Sequence, residues 1–593
     1  MHNNKVPYFL KEDQMKNLLK YLSPYKLRIA GVLTIKSIGT VMDLFIPWLL
    51  AIIIDDIIPT ENLSAVVFFG ILMIVCSFCA VLFNIMANRM ASRVTSNCIR
   101  AIRHDLFEKI SYLDAAQIDE FSISSLESRI TTDTYNVQRM VNIMQRMAIR
   151  AMILFIGGLA VTLLQDAFLT LTLLCTLPFI AFFTVMITKK SVPLYTEQQK
   201  STDNLTRVVR ENTSGVRIIK ALNRTEYEKD RFDKANKEAI KREKKANITV
   251  AATNPIISLF LNTGLSAVIV VGAIMITNHQ SSVGNIISFI QYFTIISNAM
   301  IAITRVFVSY SSGAAGMNRI NAVLFSEPKL WVEAYQNVED ENAEEVSEKA
   351  PHIEFSDVSF AYQKKRILHN ISFSIEKGQT LGIIGGTGSG KSTLISLLMR
   401  VYDADEGEIR IDGKSIREIP TEDLRSRFGS VFQNDFLFKD TIKENVVFGR
   451  DISDDELEKA FRLAQAADFV NEYPERSEYM LDIKGANLSG GQKQRLTVAR
   501  AIAGNPEILV LDDASSALDY KTDAALRRAI KENYKNTTTV IVSQRVSSIM
   551  HANLILVLEE GRIIGAGTHE ELLLTCEYYR ETAKSQMGGV ILD

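Results

Sequence analysis

Six long apolar runs in the first 303 residues limit the possible folds of this chain more than any other feature. A helix needs about 20 mostly apolar residues to cross the hydrocarbon core of a membrane. The runs predict six membrane-spanning helices, near Ile29–Ile54, Ala65–Ala87, Ala148–Leu164, Ala167–Ile187, Ala251–Ile276 and Val283–Ile303. The first half of the chain is therefore expected to be an α-helical transmembrane domain that crosses the lipid bilayer several times.

The connections between the runs predict which side of the membrane each one faces. Those after the first, third and fifth runs are short and contain neither lysine nor arginine, whereas the other two are long and basic. Basic connections lie on the cytoplasmic side, so we expect a cytoplasmic amino terminus and carboxy-terminal half, in the cell inner or plasma membrane. The long connections keep a helical spacing of apolar residues, and their amphipathic tips, Leu113–Phe121 and Glu211–Leu222, suit docking on a soluble domain.

Composition divides the chain into five predicted segments. They are a cytoplasmic amino-terminal segment at 1–26, the six-helix transmembrane domain at 27–325, an acidic linker at 326–350, an α/β domain at 351–585 and a tail at 586–593. The formal net charge of the chain is −2. Nucleic-acid binders typically carry a positive excess, so no nucleic-acid partner is expected.

A glycine-rich segment between a strand and a helix predicts a phosphate-binding loop. Gly385–Ser392 reads G-G-T-G-S-G-K-S, follows the apolar strand Leu381–Ile384 and precedes a helix that opens at Thr393. In this context the glycines let backbone N–H groups approach phosphate oxygens, the lysine faces the β- and γ-phosphates, and the serine hydroxyl binds Mg²⁺. The predicted nucleotide-binding residues of the loop are Gly385, Gly386, Thr387, Gly388, Ser389, Gly390, Lys391, Ser392 and Thr393. We therefore predict an α/β P-loop nucleotide-binding domain that uses ATP and Mg²⁺.

A second apolar strand supplies a further metal ligand. Ile508–Leu511 ends in Asp512, whose carboxylate is predicted to face the Mg²⁺ ion together with Ser392. A polar residue at the end of a strand also commonly begins a turn. The phosphate loop upstream favours the metal role.

The motif after the phosphate loop carries a family resemblance. Leu488–Gln492 reads L-S-G-G-Q just before the strand that ends in Asp512, and this resembles the signature of ATP-binding-cassette (ABC) transporters. Six predicted spans ahead of one such cassette resemble a half-transporter of the exporter type, and the resemblance covers most of the chain. It implies that Tyr362 stacks on adenine and that Gln433 senses Mg²⁺ as a further metal-site residue.

The resemblance also implies a dimer. In the family, two cassettes enclose two ATP molecules, each between the phosphate loop of one chain and the signature of the other. The signature residues expected to bind the partner's ATP are Leu488, Ser489, Gly490, Gly491 and Gln492. The loop expected to communicate across the dimer consists of Ser516, Ala517, Leu518 and Asp519.

Two positions depart from the family pattern where hydrolysis occurs. The family has a catalytic glutamate where this chain has Asp513, and a histidine where it has Gln544. An aspartate is one methylene shorter, about 1.5 Å, and a displacement near 1 Å can lower a rate about a hundredfold. A glutamine does not carry the positive charge of a histidine. The chain is therefore expected to bind ATP firmly and to hydrolyse it poorly on its own.

These features resemble the degenerate-site subunit of heterodimeric bacterial multidrug exporters. The expected partner is a second half-transporter with Glu and His at the matching positions, and the expected cargo is an amphipathic small molecule. Two alternatives remain at this point. One is an importer with the exporter fold that carries a siderophore or a vitamin; the other is a non-transporting, ATP-gated regulator.

Polar residues inside the predicted spans are candidates for a substrate cavity, because charge is costly in a bilayer. Lys36 and Asp43 lie two helical turns apart in the first span and so share one face. Tyr292 and Asn298 lie in the sixth span. Pairing of charges between helices and ordinary helix packing explain the same residues, so both interpretations stay open here.

Overall fold

The computed structural model describes residues 11–327, 330, 350–362, 365–433 and 436–587. The first ten residues, most of the predicted acidic linker and the tail after Met587 lie outside the described residues. The chain divides into two compact units. The first unit extends to Ser326, except that Tyr112–Phe121 belongs with the second unit, which contains the rest of the chain.

The first half of the chain is helical throughout its described part. Short turns of 3₁₀ or π geometry link several of the helices. The helices are α1 (Lys11–Leu22), α2 (Lys26–Ile52), α3 (Leu63–Ser111), α4 (Ala115–Phe121), α5 (Ile123–Ser128), α6 (Thr134–Ile143), α7 (Ile149–Gln165), α8 (Ala167–Ser214), α9 (Val216–Ala221), α10 (Thr225–Ala251), α11 (Thr253–Thr277) and α12 (Val283–Leu324). Within the described residues, 6 helical stretches are long and apolar enough to cross a membrane, which confirms the predicted transmembrane domain.

The membrane helices extend well beyond the apolar runs. Helix α3 has 49 residues and is about 70 Å long at 1.5 Å per residue, more than twice the hydrocarbon thickness of about 30 Å. The fifth span begins slightly later than predicted, because α10 ends at Ala251 and α11 begins at Thr253. Pro255 suits the break, because a proline lacks the backbone N–H group and is favoured in the first turn of a helix.

The core of the first unit is built around one stripe of α12. Phe289, Tyr292, Phe293 and Ile296 are fully buried and recur at the i, i+3, i+4, i+7 spacing of one helix face. A Cβ on Gly264 of α11 would lie 2.4 Å from Cζ of Phe293. The close approach of α11 and α12 therefore depends on that glycine.

The second unit is an α/β domain. Its strands are β1 (Ile353–Tyr362), β2 (Lys365–Ile375), β3 (Thr380–Gly385), β4 (Glu406–Ile411), β5 (Lys414–Ser415), β6 (Phe428–Val431), β7 (Ile508–Asp512), β8 (Thr538–Val542), β9 (Leu554–Glu559) and β10 (Arg562–Gly567). Its further helices are α13 (Lys391–Leu398), α14 (Thr421–Ser426), α15 (Ile442–Val447), α16 (Asp454–Leu463), α17 (Ala467–Glu472), α18 (Gly490–Ile502), α19 (Tyr520–Asn533), α20 (Val546–Ile549), α21 (His569–Thr575) and α22 (Glu577–Met587). The fold class predicted for this half is confirmed.

Two sheets organise the α/β domain. A 4-stranded antiparallel sheet has the order β2-β1-β4-β5, and a 6-stranded sheet has the order β10-β9-β3-β8-β7-β6 with parallel pairing from β9 to β6. Strand β7 is buried at every residue, as expected for a parallel strand covered on both faces. The carboxyl ends of β3, β7 and β8 meet at one edge, where α/β proteins bind ligands.

The segment around the first predicted tip packs inside the second unit. The hydroxyl of Tyr402 donates a hydrogen bond to Oδ2 of Asp119 at 2.7 Å, and the amide of Gln117 donates to the backbone oxygen of Glu327 at 2.9 Å. Helix α4 thus shares the fold of the α/β domain although it lies far away in sequence. The second tip forms α9 and belongs to the first unit.

Candidate nucleotide-binding site

Two glycines fix the shape of the loop between β3 and α13. Gly388 and Gly390 have φ angles of 83° and 101°, a left-handed region that residues with a Cβ rarely adopt. A Cβ on Gly390 would also lie 2.5 Å from Cδ2 of Leu368. Gly390 directly precedes α13, so the loop leads into a helix amino terminus, where free N–H groups and the helix dipole favour an anion.

Lys391 bends back over this loop. Its Nζ donates hydrogen bonds to the backbone oxygens of Gly385 and Gly386, at 3.0 and 2.8 Å. Burial lowers the pKa of Lys391, and the carboxylates of Asp512 and Asp513 oppose that shift. The ammonium group is therefore held between the loop backbone and a pair of acidic residues.

Ser392 and Asp512 form a pair of oxygen ligands beside the loop. The Ser392 hydroxyl donates a hydrogen bond to Oδ2 of Asp512 at 2.9 Å. Burial raises the pKa of Asp512, the Ser392 hydroxyl lowers it, and the neighbouring Asp513 raises it again. A hydroxyl and a carboxylate oxygen at this distance suit a hard cation such as Mg²⁺.

Asp513 and Gln544 follow the ends of the adjacent strands β7 and β8. The N–H group of Asp513 donates to the backbone oxygen of Val542 at 3.0 Å, which ties the two strand ends together. Asp513 has a φ of 53°, a left-handed conformation that aspartate adopts more readily than most residues. Its backbone oxygen accepts a hydrogen bond from Nε2 of Gln494 at 3.4 Å.

A cavity of about 350 Å³ joins these groups. Most predicted nucleotide-site residues line it together, including both departures from the family pattern. The predicted residues among its lining are Tyr362, Thr387, Gly388, Gly390, Lys391, Ser392, Thr393, Gln433, Asp512, Asp513 and Gln544. Tyr362 packs edge-on against Phe360 and Tyr402, so its position at the cavity rim is set by an aromatic cluster.

Three predicted residues of the loop stand behind the cavity wall. Gly385 and Gly386 supply the backbone oxygens that hold Lys391. Ser389 is buried, and its hydroxyl has no hydrogen-bond partner within the described part of the chain. A buried hydroxyl without a partner is costly.

Lys365 also lines the cavity and was not predicted from the sequence. Lys365 lies directly across from Tyr362 in the register of β1 and β2. A basic residue three positions after a predicted adenine-stacking tyrosine was the available signal, but its meaning depends on the pairing of β1 with β2. The cavity therefore carries two lysines, one on the loop and one on its rim.

The signature residues do not line this cavity. Ser489 begins α18 with a reciprocal capping arrangement: its hydroxyl accepts from the N–H of Gln492 at 3.3 Å, and its own N–H donates to Oε1 of Gln492 at 2.8 Å. Leu488 is buried, whereas Ser489 and Gly490 are exposed. The motif therefore presents an ordered, accessible helix amino terminus away from its own chain's phosphate loop.

The predicted communication loop packs directly behind the signature. A Cβ on Gly490 would lie 3.4 Å from Cβ of Ala517, and one on Gly491 would lie 3.2 Å from the Ala517 backbone oxygen. Leu518 is buried, and the carboxylate of Asp519 caps α19, where the N–H of Thr522 lowers the pKa of Asp519. The two glycines therefore allow the two motifs to touch.

Gln494 joins the signature helix to this loop. It was not predicted from the sequence. Its side chain is buried; its Nε2 donates to Oγ of Ser516 at 2.8 Å, and its Oε1 accepts from the N–H of Ala517 at 2.8 Å. Arg545, next to Gln544, donates to the backbone oxygen of Ser516 at 3.2 Å. Hydrogen bonds thus connect the signature helix, the communication loop and the segment that carries Gln544.

The candidate cavity residues in the membrane helices have different environments. Lys36 is buried and donates to Oδ1 of Asn88 at 3.1 Å, while Asp43 pairs with Arg150 at 3.1 Å rather than with Lys36. Asn298 lines a cavity of about 360 Å³. Tyr292 lines none of the cavities described here, because it is fully buried and its hydroxyl donates to the backbone oxygen of Leu44 at 2.6 Å.

Comparison with known proteins matches both halves of the chain. The family model of the ABC transporter transmembrane region matches residues 29–300, and the ABC transporter family model matches residues 368–516. An uncharacterized ABC transporter ATP-binding protein of Bacillus subtilis, YfiB, is 35% identical over 582 residues, which cover 97% of this chain and 99% of the relative. A putative ABC transporter ATP-binding protein of Streptococcus pneumoniae, exp8, is 30% identical over 589 residues, covering 97% and 98%.

A solved structure shares the fold at low sequence identity. The structure of a bacterial Atm1-family ABC exporter with ATP bound superimposes with a TM-score of 0.80, over 95% of this chain and 98% of that one. The sequence identity is 23%. The likeness therefore extends over both the helical domain and the α/β domain.

Proposed function

The chain belongs to the ABC transporter family, and from this premise we propose that it is the degenerate-site subunit of a heterodimeric, ATP-driven exporter of amphipathic compounds. It is a half-transporter, with one membrane domain fused to one cytoplasmic nucleotide-binding domain. The observation that carries the proposal is the composition of the loop cavity. Asp513 and Gln544 line the cavity that contains Lys391, while the complete signature lies outside it.

The cavity fits ATP with Mg²⁺. The conformation of Gly388 and Gly390 and the ammonium group of Lys391 form a cradle for phosphate oxygens. Ser392 and Asp512, with Gln433, would hold Mg²⁺. Mg²⁺ held by these residues would offset the negative charge of the phosphate groups.

Asp513 would orient an attacking water poorly. Its carboxylate is about 1.5 Å shorter in reach than that of a glutamate, and its backbone is fixed by the hydrogen bond to Val542. The main chain is therefore restrained from moving forward to compensate. Loss of orientation on this scale lowers a rate by about a hundredfold.

Gln544 would bind a phosphate oxygen but would supply no positive charge. A glutamine amide donates a hydrogen bond to a phosphate oxygen, but it carries no positive charge to stabilise the charge that develops during phosphoryl transfer. Two weakened groups in one cavity favour a site that retains ATP. Hydrolysis would then depend on a second subunit with Glu and His.

The signature would complete that second site. Ser489 and Gln492 hold each other in the capping arrangement, and the exposed amino terminus of α18 is ready to receive a phosphate from outside the chain. In the proposed cycle, ATP at both sites closes the two cassettes. Hydrolysis at the partner's phosphate loop reopens them, while ATP at the loop of this chain persists through several turnovers.

The proposal is tested by the ATPase rate of the full-length chain purified in lipid nanodiscs. The chain alone is expected to hydrolyse ATP slowly, and the double variant Asp513→Glu with Gln544→His is expected to be at least about tenfold faster. Adding Lys391→Ala to the double variant serves as a control and should abolish the gain. A wild-type chain that hydrolyses ATP rapidly without a second subunit contradicts the proposal.

Purification from the native cell tests the heterodimer. A tagged chain is expected to bring down a second half-transporter that carries the missing glutamate and histidine. Uptake of a labelled amphipathic dye into inside-out vesicles then measures direction. Accumulation inside these vesicles corresponds to export, and release from them corresponds to import.

A further inference from the structure

A basic cavity lies among the cytoplasmic ends of the first three membrane helices. Its volume is about 370 Å³. It is lined by Lys36, Asn88, Asn142, Ile143, Arg146, Met147 and Arg150. Three of these side chains are cations, and the lining contains no carboxylate among the described residues.

Ordinary membrane topology does not account for all of this charge. Basic residues at a cytoplasmic boundary usually extend toward water and head groups, as the exposed Arg89 does. Lys36 behaves differently, because it is only 3% exposed. Its ammonium group donates to Oδ1 of Asn88, and it has no carboxylate within ion-pair distance in the described structure.

Arg146 also has a hydrogen-bond donor without a partner among the described residues. One terminal nitrogen donates to the backbone oxygen of Asn88 at 2.9 Å, but the buried Nε has no hydrogen-bond partner among the described residues. Arg150 is neutralised by Asp43 at 3.1 Å. The cavity therefore leaves Lys36 and Arg146 without a carboxylate in ion-pair contact among the described residues, which is costly where water is scarce.

The second membrane cavity adjoins this basic one. The two cavities share Met147 and Arg150 in their linings. Beyond those residues the lining becomes mostly apolar and consists of Ala151, Leu154, Ile295, Asn298, Ala299 and Ala302. A cavity with a cationic lining thus lies next to one with a mostly apolar lining.

We propose that these joined cavities bind an amphipathic anion, with a carboxylate or phosphate head at Lys36 and Arg146 and an apolar tail along Leu154 and Ile295. The inference rests on the proposed amphipathic cargo and narrows it to anions. Such a head group can belong to a small exported amphiphile or to an anionic lipid. Both would pair with the two cations and satisfy the free Nε of Arg146.

Fluorescence titration tests this with two probes that differ in head-group charge, dansylated undecanoate and dansylated undecylamine. The full-length chain, with any partner that copurifies, is placed in phosphatidylcholine nanodiscs without nucleotide. Undecanoate is expected to bind at least about tenfold tighter than undecylamine. Arg146→Gln should remove that preference and Arg146→Lys should retain most of it.

Arg89→Gln is the matched control, because it removes one positive charge at the same level of the membrane on an exposed residue. It should leave both affinities unchanged. Phosphatidylglycerol nanodiscs separate the two sources of the anion. If they weaken undecanoate binding to the wild type but not to Arg146→Gln, a lipid fills the site; if binding is unchanged, the site takes the small amphiphile.

Equal affinity for the two probes overturns the inference, as does an Arg89→Gln variant that loses as much affinity as Arg146→Gln. The ATPase rate is measured on the same samples. If the double variant Asp513→Glu with Gln544→His raises the ATPase rate as expected while the wild type shows no preference for the anion, only the anion site is rejected. If the double variant shows no gain, the proposed function fails, and the preference between the two probes still decides the anion site.

Discussion

The side chain of Gln586 acts as a clamp: it forms hydrogen bonds with the backbone of Gln544 and of Val546, on either side of Arg545. Its Nε2 donates to the backbone oxygen of Gln544 at 2.7 Å, and its Oε1 accepts from the N–H of Val546 at 2.8 Å. Gln586 lies in the last helix, α22, far from the loop in sequence. Helix α22 therefore restrains the segment that carries Gln544.

Removal of this clamp should loosen that segment selectively. Gln586→Ala loses both hydrogen bonds, each worth about 1 kcal/mol, so amide hydrogen exchange across 544–546 is expected to become faster. Gln586→Glu keeps the acceptor for Val546 but loses the donor to Gln544, and should show a smaller effect. Lys584→Ala changes an exposed residue of the same helix and should leave exchange unaltered. Equal exchange in all three variants would show that the clamp does not restrain the loop.

Ser489 has two roles that one comparison separates. Ser489→Ala removes the cap of α18, which costs about 1 kcal/mol of stability, and also removes the signature hydroxyl. Ser453 caps α16 by the same reciprocal arrangement with Glu456. Ser453→Ala should therefore lower the melting temperature of the complex to a similar extent and leave its ATPase rate nearly intact.

The ATPase rate of the heterodimer with Ser489→Ala is expected to fall far more than that with Lys391→Ala. The reason is that, under the proposed function, Ser489 would serve the competent site of the partner and Lys391 the impaired site of this chain. Nucleotide binding to this chain should be weakened by Lys391→Ala and not by Ser489→Ala. Similar ATPase losses from the two variants would contradict the assignment of the sites.

Two glycines of the phosphate loop, Gly390 and Gly386, should differ in how well they tolerate a side chain. Gly390→Ala forces a Cβ into the left-handed region and to within 2.5 Å of Leu368, which should cost about 1–3 kcal/mol. A Cβ on Gly386 would meet only the hydroxyl of Tyr578 at 3.7 Å. Thermal melting without nucleotide should therefore show a clear loss for Gly390→Ala and little change for Gly386→Ala.

The sequence predicts the phosphate loop and the strand-end acids because each motif is contiguous. Backbone geometry around a phosphate needs glycine, lysine and serine in a fixed order, so Gly385–Ser392 is recognisable without any knowledge of the fold. The six apolar runs are predictable for a similar reason, since the bilayer sets their length. Only the ends shift, as at Pro255, where the missing N–H group starts a new helix.

Contacts between distant segments were not predictable in this way. Asp43 shares a helix face with Lys36 in the sequence, but its partner is Arg150, from a helix 107 residues later. Strand register places Lys365 at the cavity. Gln494 and Gln586 hold neighbouring segments through side-chain hydrogen bonds, and no local pattern marks these two. Tyr292 was a candidate cavity residue, but its hydroxyl donates a hydrogen bond to a backbone oxygen inside the core.

Buried His352 predicts how the α/β domain responds to pH. Its Nδ1 shares a hydrogen bond with the hydroxyl of Thr538 at 2.6 Å, and its Nε2 lies 3.7 Å from Asp412. Burial lowers the pKa of His352; Asp412 and Glu507 oppose the shift, while Lys377 and Arg427 reinforce it. The folded domain therefore takes up the proton less readily than the unfolded chain.

A lowered pKa in the folded state means that stability is present above the unfolded value of about 6.5 and is lost as the pH falls below it. The wild-type melting temperature should therefore drop between about pH 7 and pH 5. His352→Gln removes the titrating group, so its melting temperature should be lower at neutral pH but fall less steeply. A slope that His352→Gln leaves unchanged would assign the acid sensitivity to other groups.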